Sequence, residues 1–159
     1  MLQLVVLFCS AQILSHSGVN YEFNHVLEEG IIFELLAGEG TVGRYGDLLK
    51  LGRRGDNLTP HHVPSNAYMT AKVTSYSRNL GIAMMIEHPV PGAGGRHRQT
   101  LSYGQSPDLS LTPRQVLARE IRDLRVLYQR QNVYTKAIKR SLQAIAQLNH
   151  SAWLGVFEK

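Results

Sequence analysis

The stretch Asp56-Asn57-Leu58-Thr59-Pro60-His61-His62-Val63-Pro64-Ser65 decides how the chain is read. It sets two adjacent histidines between two prolines, just after a run that holds Gly52, Arg53, Arg54 and Gly55. Neighbouring side chains on a strand point to opposite faces, so these imidazoles cannot share one face of a regular strand. The pair marks either a loop or a site that gives two imidazoles different tasks.

Composition sets the bounds. The 159 residues suffice for one ordinary domain, and a hydrophobic fraction of 43% supports a packed core and excludes disorder. Lys and Arg outnumber Asp and Glu by 17 to 12, a formal charge of +5. That balance attracts phosphate backbones and other anions without conferring specificity, and a domain that is merely basic explains it equally well. Cys9 is the single cysteine, which excludes an internal disulfide and a cysteine-based zinc site. It sits in an apolar N-terminal run, which argues against a Cys-His protease.

Residues 1–14 form an apolar run too short to span a bilayer. The run is like the core of a secretion signal but lacks the preceding Lys or Arg of that signature. The alternatives are an N-terminal strand or helix, or the end of a larger upstream protein. Glu22, Glu28, Glu29 and Glu34 make residues 20–37 acidic, unlike the downstream sequence. Gly38, Gly40 and Gly43 then read as a boundary, dividing a segment 1–40 from a body 41–159. Gly38-Glu39-Gly40 lacks the Lys-Ser/Thr ending of a phosphate-binding loop.

Ser65 is a good N-cap for a helix over residues 66–77. The apolar run 81–86 reads as a strand or buried segment. Pro89, Pro91, Gly92, Gly94 and Gly95 make residues 87–100 a loop, which carries His88, Arg96, His97 and Arg98. Thr112-Pro113-Arg114-Gln115 is a capping box with proline at the first helical position. Leu117, Ile121, Leu124 and Tyr128 come after it at helical spacing. A second helix over 132–148 carries Tyr134, Ile138, Leu142 and Ile145, so the two form a hairpin covering one side of the site.

The candidate ligands are His61, His62, His88 and His97, with Asp56 and Glu87 nearby. Adjacent histidines do not match zinc-finger or zincin spacing. Any one of them alone is more often a surface or core residue than a ligand. Bracketed by prolines, and joined by a further histidine in a basic glycine-rich loop, the pair points to a site.

Thr59-Pro60-His61-His62-Val63-Pro64-Ser65 resembles the double-histidine core of HNH/endonuclease VII-type nucleases, the His-Me finger or ββα-metal enzymes. The likeness is strongest to the nuclease domains at the C-termini of bacterial polymorphic toxins. Arg44-Tyr45-Gly46 resembles their arm, and Arg96-His97-Arg98-Gln99-Thr100-Leu101-Ser102-Tyr103-Gly104 their second histidine segment. The likeness covers residues 41 to about 150 and leaves residues 1–40 out. Arg96 departs from it, standing where an acidic residue often precedes the histidine.

The resemblance implies an α+β fold, mostly helical. A small β-hairpin and helix would form the metal finger, and C-terminal helices would pack against it. His61 and His97 would bind one divalent ion, Mg²⁺, Mn²⁺, Ni²⁺ or Zn²⁺. His62 would be the general base, since a neutral imidazole suits removal of a proton from water. Arg96 and Arg98 would grip phosphates, and Ser102 and Tyr103 would position them. Asp56 would orient an imidazole from behind. The expected activity is phosphodiester hydrolysis, with DNA favoured over RNA, in a toxin effector secreted or delivered into a target cell. An acidic immunity protein is the implied partner, and no membrane partner is required. The rival readings are a non-catalytic basic nucleic-acid-binding module and an interaction module with satisfied buried histidines.

Overall fold

The computed structural model describes residues 33–158. The apolar run at 1–14 and most of the acidic segment lie outside them. The chain forms β1 (Val42–Arg44), α1 (Tyr45–Leu51), β2 (Leu58–His62), α2 (Asn66–Lys72) and a 3-10 turn (Arg78–Leu80). Then come β3 (Ile82–Glu87), α3 (Arg96–Gln99), α4 (Pro113–Arg130) and α5 (Lys136–Ala152). The fold is α+β and mostly helical, with one small antiparallel sheet.

The strand order is β1-β3-β2, so the apolar run at 81–86 becomes the central strand. The β2–β3 pair is antiparallel, with α2 and the 3-10 turn lying in the connection between them. Strand β2 is an edge strand, which is why it accommodates Pro60. Alternation along β3 assigns its two faces. Ile82, Met84 and Ile86 join the main core with Tyr68, Leu124, Tyr128, Ile138 and Ile145. Ala83 and Met85 face a smaller cluster with Tyr45 and Leu48 of α1.

Helix α4 starts as its sequence dictates. The Thr112 hydroxyl accepts from the Gln115 amide and the Gln115 side chain accepts from the Thr112 amide. Its buried side includes Val116, Leu117, Glu120, Leu124 and Tyr128. Helix α5 buries Ile138, Leu142, Ile145 and Asn149. Asn149 sits one turn beyond the expected apolar stripe and has a reason to be polar. Its Nδ2 donates to the Val63 carbonyl at 2.8 Å, fixing the backbone next to His62. Helix α2 ends at Lys72, earlier than residue 77, and a four-residue helix interrupts the expected loop at 96–99.

The compact unit begins at Ile32, which moves the boundary placed at residue 40. The cause is Glu39, whose side chain is fully buried and ion-paired to Arg96 at 2.7 Å. The Gly40 amide also donates to the Met85 carbonyl at 2.8 Å. Residues just before β1 are therefore part of the packed body. Among the described residues, no helix is long and apolar enough to cross a membrane.

Candidate functional site

Strand β2 delivers the two histidines to different neighbours. His61 pairs in register with Met84 and His62 with Ala83, and directly opposite residues share a face. His61 therefore goes with the main-core face of the sheet and His62 with the α1 face. Both are buried, at 6% and 8% exposure, yet both line the same open groove at the sheet's edge. That groove has a volume of about 470 Å³ and also takes in Tyr45, Asn66, Arg78, His97, Ser102 and Tyr103.

His62 is held on three sides. Its ring stacks on Tyr45, with centroids 4.1 Å apart and planes at 17°. Its Nε2 lies 2.9 Å from the Arg78 carbonyl. A carbonyl only accepts, so Nε2 carries the hydrogen and Nδ1 keeps its lone pair. Gly81 closes the third side: a Cβ there would lie 2.8 Å from His62 Cδ2 and would strike the Tyr76 hydroxyl. Arg78 in turn donates to the Tyr45 hydroxyl at 2.8 Å and lies 4.9 Å over that ring. Burial is the main cause that lowers the His62 pKa, partly offset by the bond to the Arg78 carbonyl.

On the other side, His61 and His97 meet edge to face with centroids 5.1 Å apart. His97 comes from α3, which starts at Gly95. A Cβ on Gly95 would come within 3.0 Å of the Glu87 carbonyl oxygen, and its φ of 79° also favours glycine. The Nδ1 atoms of His97 and His88 are 3.1 Å apart, so one of them donates to the other. Tyr103 completes the cluster, its ring 5.0 Å from that of His97. Burial, reinforced by the neighbouring His97 and His62, lowers the His61 pKa to about 3. Burial, with His88 and Arg98, lowers that of His97 to about 4. All three groove histidines are thus neutral near pH 7 and carry lone pairs.

Neutral imidazoles are the form a metal binds. The spacing of His61 and His97 is compatible with shared ligation, since two nitrogens each ~2.1 Å from one ion lie within about 4 Å of each other. Among the described residues, however, no group of three or more His, Cys, Asp or Glu side chains is arranged to hold a metal ion. The donor set therefore fits an ion that keeps most of its coordination for water and substrate, not a closed structural site. If His97 donates its Nδ1 hydrogen to His88, its Nε2 is free for a ligand role, so His88 acts as an orienting partner.

Two sequence assignments are corrected. Arg96 does not line the groove and is only 1% exposed. Its five N–H donors make five hydrogen bonds, to Glu39 twice, Glu87, Gln131 and the Glu34 carbonyl. A guanidinium so committed has no donor left for phosphate. Arg98 holds its own loop, donating to the carbonyls of Gly94 at 2.8 Å and Pro89 at 3.2 Å. Asp56 likewise accepts from the amides of Arg53 and Leu58, shaping the turn before β2 and not an imidazole. Ser102 and Tyr103 do line the groove.

The exposed cation in the groove is Arg78, which nothing in its local sequence singles out. Its carbonyl also sets the His62 tautomer, a backbone role that no residue type advertises. Tyr45, one residue of the arm in the sequence, proves to be the stacking platform. Comparison of the chain with protein-family profiles, curated protein sequences and solved structures finds no match.

Proposed function

We propose that the chain is a metal-dependent endonuclease that hydrolyses phosphodiester bonds, with DNA favoured over RNA, and acts as a bacterial toxin effector. The observation that carries this reading is the state of His62. One nitrogen is pinned as a donor to the Arg78 carbonyl, the ring is clamped on Tyr45, and the other nitrogen keeps a lone pair beside an open groove. A buried histidine kept only for packing has no need of an open groove shared with two further neutral imidazoles.

In this reading Nδ1 of His62 removes a proton from a water positioned in the groove. The water oxygen forms a bond to phosphorus as the bond to the leaving oxygen breaks, and that oxygen is protonated from solvent. Arg78 offers its remaining N–H donors to the phosphate, which Arg96 and Arg98 do not. Ser102 and Tyr103 contact the same phosphate from the opposite wall. His61 and His97 would hold a divalent ion (Mg²⁺, Mn²⁺, Ni²⁺ or Zn²⁺), which supplies charge neutralisation at the phosphate and the leaving group. The +5 chain suits an acidic inhibitor protein as partner.

Plasmid nicking in Mg²⁺ or Mn²⁺ tests the proposal. The His62→Ala variant should lose nicking while keeping its circular dichroism and melting temperature, and EDTA should stop the parent chain. Cleavage that is unchanged in the variant would sink the reading. Binding that tracks salt but ignores EDTA, with no cleavage, would leave a plain nucleic-acid-binding module.

A further inference from the structure

A second cavity of about 230 Å³ opens beside the histidine groove and shares Ser65, Ser102 and Gln105 with it. Its walls include the apolar surfaces of Tyr68, Leu101 and Val116, and Glu120 of α4 also lines it. Glu120 is 4% exposed, and its Oε2 has no hydrogen-bond partner. A buried carboxyl oxygen without a partner is costly, and a packed apolar residue would serve the core better. The adjacent arginine, Arg119, turns to the surface, where it lies 3.7 Å from Asp108.

We propose that this cavity binds one unstacked nucleobase that carries an exocyclic amine, with Glu120 accepting from that amine. The proposal rests on the nuclease reading for its placement beside the scissile phosphate. Three features support it. The volume lies below the ~300 Å³ at which drug-sized pockets begin, which suits a single flat ring system. Apolar walls around one polar group are what a splayed base requires, a face to pack and an edge to read. The shared rim residues Ser65, Ser102 and Gln105 make the cavity continuous with the groove, so one strand can occupy both. Adenine, cytosine and guanine offer an exocyclic amine, whereas thymine and uracil present carbonyl oxygens that a carboxyl oxygen repels. The substrate class is therefore an unpaired or locally opened strand.

Burial raises the Glu120 pKa to about 7, against the pull of Ser65 and Arg119, so the cavity is not a permanently anionic hole facing phosphate. Binding can be read without cleavage by using the full chain with His62→Ala. The probes are fluorescein-labelled octamers of dA, dC and dT, with rA and rU as the ribose counterparts, in fluorescence anisotropy at fixed salt. The dA and dC octamers should bind at least about five-fold more tightly than dT, in line with the discrimination of one good base-edge contact. Adding Glu120→Gln should reduce the difference to less than about two-fold. Leu101→Trp, which fills the cavity from its exposed wall, should do the same and covers the case in which the Glu120 variant folds poorly. The same order for rA over rU would extend the base readout to RNA.

Equal affinity for all octamers, or discrimination that survives both variants, overturns the proposal. Cleavage by the parent chain with no base discrimination also removes the pocket but leaves the nuclease standing. Discrimination without cleavage by the parent chain upholds the pocket and removes the nuclease.

Discussion

Arg96 and His97 are neighbours in sequence, and they belong to two polar clusters of opposite kind. Around Arg96, every guanidinium donor has a partner, and Glu39, Glu87, Gln131 and Tyr128 close the network. Around His97, His61 and His62, the rings are fixed by stacking and edge contacts, yet each can keep a lone pair beside an open groove. A fully satisfied buried network fixes structure, whereas held groups with unused capacity can act on something else. The comparison separates the two roles by bonding state, which residue type alone does not do.

The sharpest way to break the contrast is to exchange the consequences. His62→Ala should cost ~10²–10⁴-fold in nicking rate, the usual yield of a general base, with little change in stability. Arg96→Met should do the reverse. Removing the cation leaves the buried Glu39 carboxylate without its partner, at a cost of ~3–5 kcal/mol. Urea unfolding should show the midpoint fall sharply, and the activity per folded molecule should change far less. If Arg96→Met stays stable but loses phosphate binding, Arg96 is a ligand group after all and the contrast collapses.

Tyr128→Phe probes the same network more gently. The phenol donates to Glu39 Oε1 at 2.8 Å, and a hydrogen bond to a charged group is worth ~1.5–3 kcal/mol. Glu39 keeps its Arg96 partner in this variant, so the loss should sit at the low end. Nicking should be unaffected, since Tyr128 does not line the groove. A drop in nicking at full stability would tie the network directly to the site.

The reach of the sequence is uneven for physical reasons. Local signals are legible: the capping box at Thr112, the glycines and prolines of the 87–95 loop, and the helical periodicity of Leu117, Leu124 and Tyr128. His61 and His62 are legible as a pair with separate tasks, because strand alternation is a consequence of covalent geometry. Charge is misleading. Arg96 and Arg98 sit together in a basic loop, and nothing local shows that one is paired with Glu39, far away along the chain. Glu39 itself sits between two glycines that punctuate the chain, so it reads as part of a boundary. Asn149 and Arg78 are illegible because their tasks involve backbone carbonyls, of Val63 and of Arg78 itself. Glu120 is invisible as a feature, since a glutamate in a helix ordinarily faces water.

Glu120 also sets the smallest prediction, one that asks whether it belongs with the satisfied network or with the unfinished groove. Its pKa in the folded chain is raised from 4.5 to about 7 by burial. Between those values the folded state holds a proton that the unfolded state has released, so stability falls as pH rises through this window. The slope for one proton is at most ~1.4 kcal/mol per pH unit. His61 and His97 tilt the other way, because their lowered pKa values make stability fall as pH drops below about 6.5. The parent curve is therefore a near-cancellation, and the informative quantity is the difference between parent and Glu120→Gln at each pH. That difference should shift in favour of the variant as pH rises from 5 to 7.5 in urea unfolding, because only the parent must bury a charge at the upper end. A constant difference would mean that the carboxyl has a partner in solution. Glu120 would then be finished like Arg96, with no oxygen to offer a base.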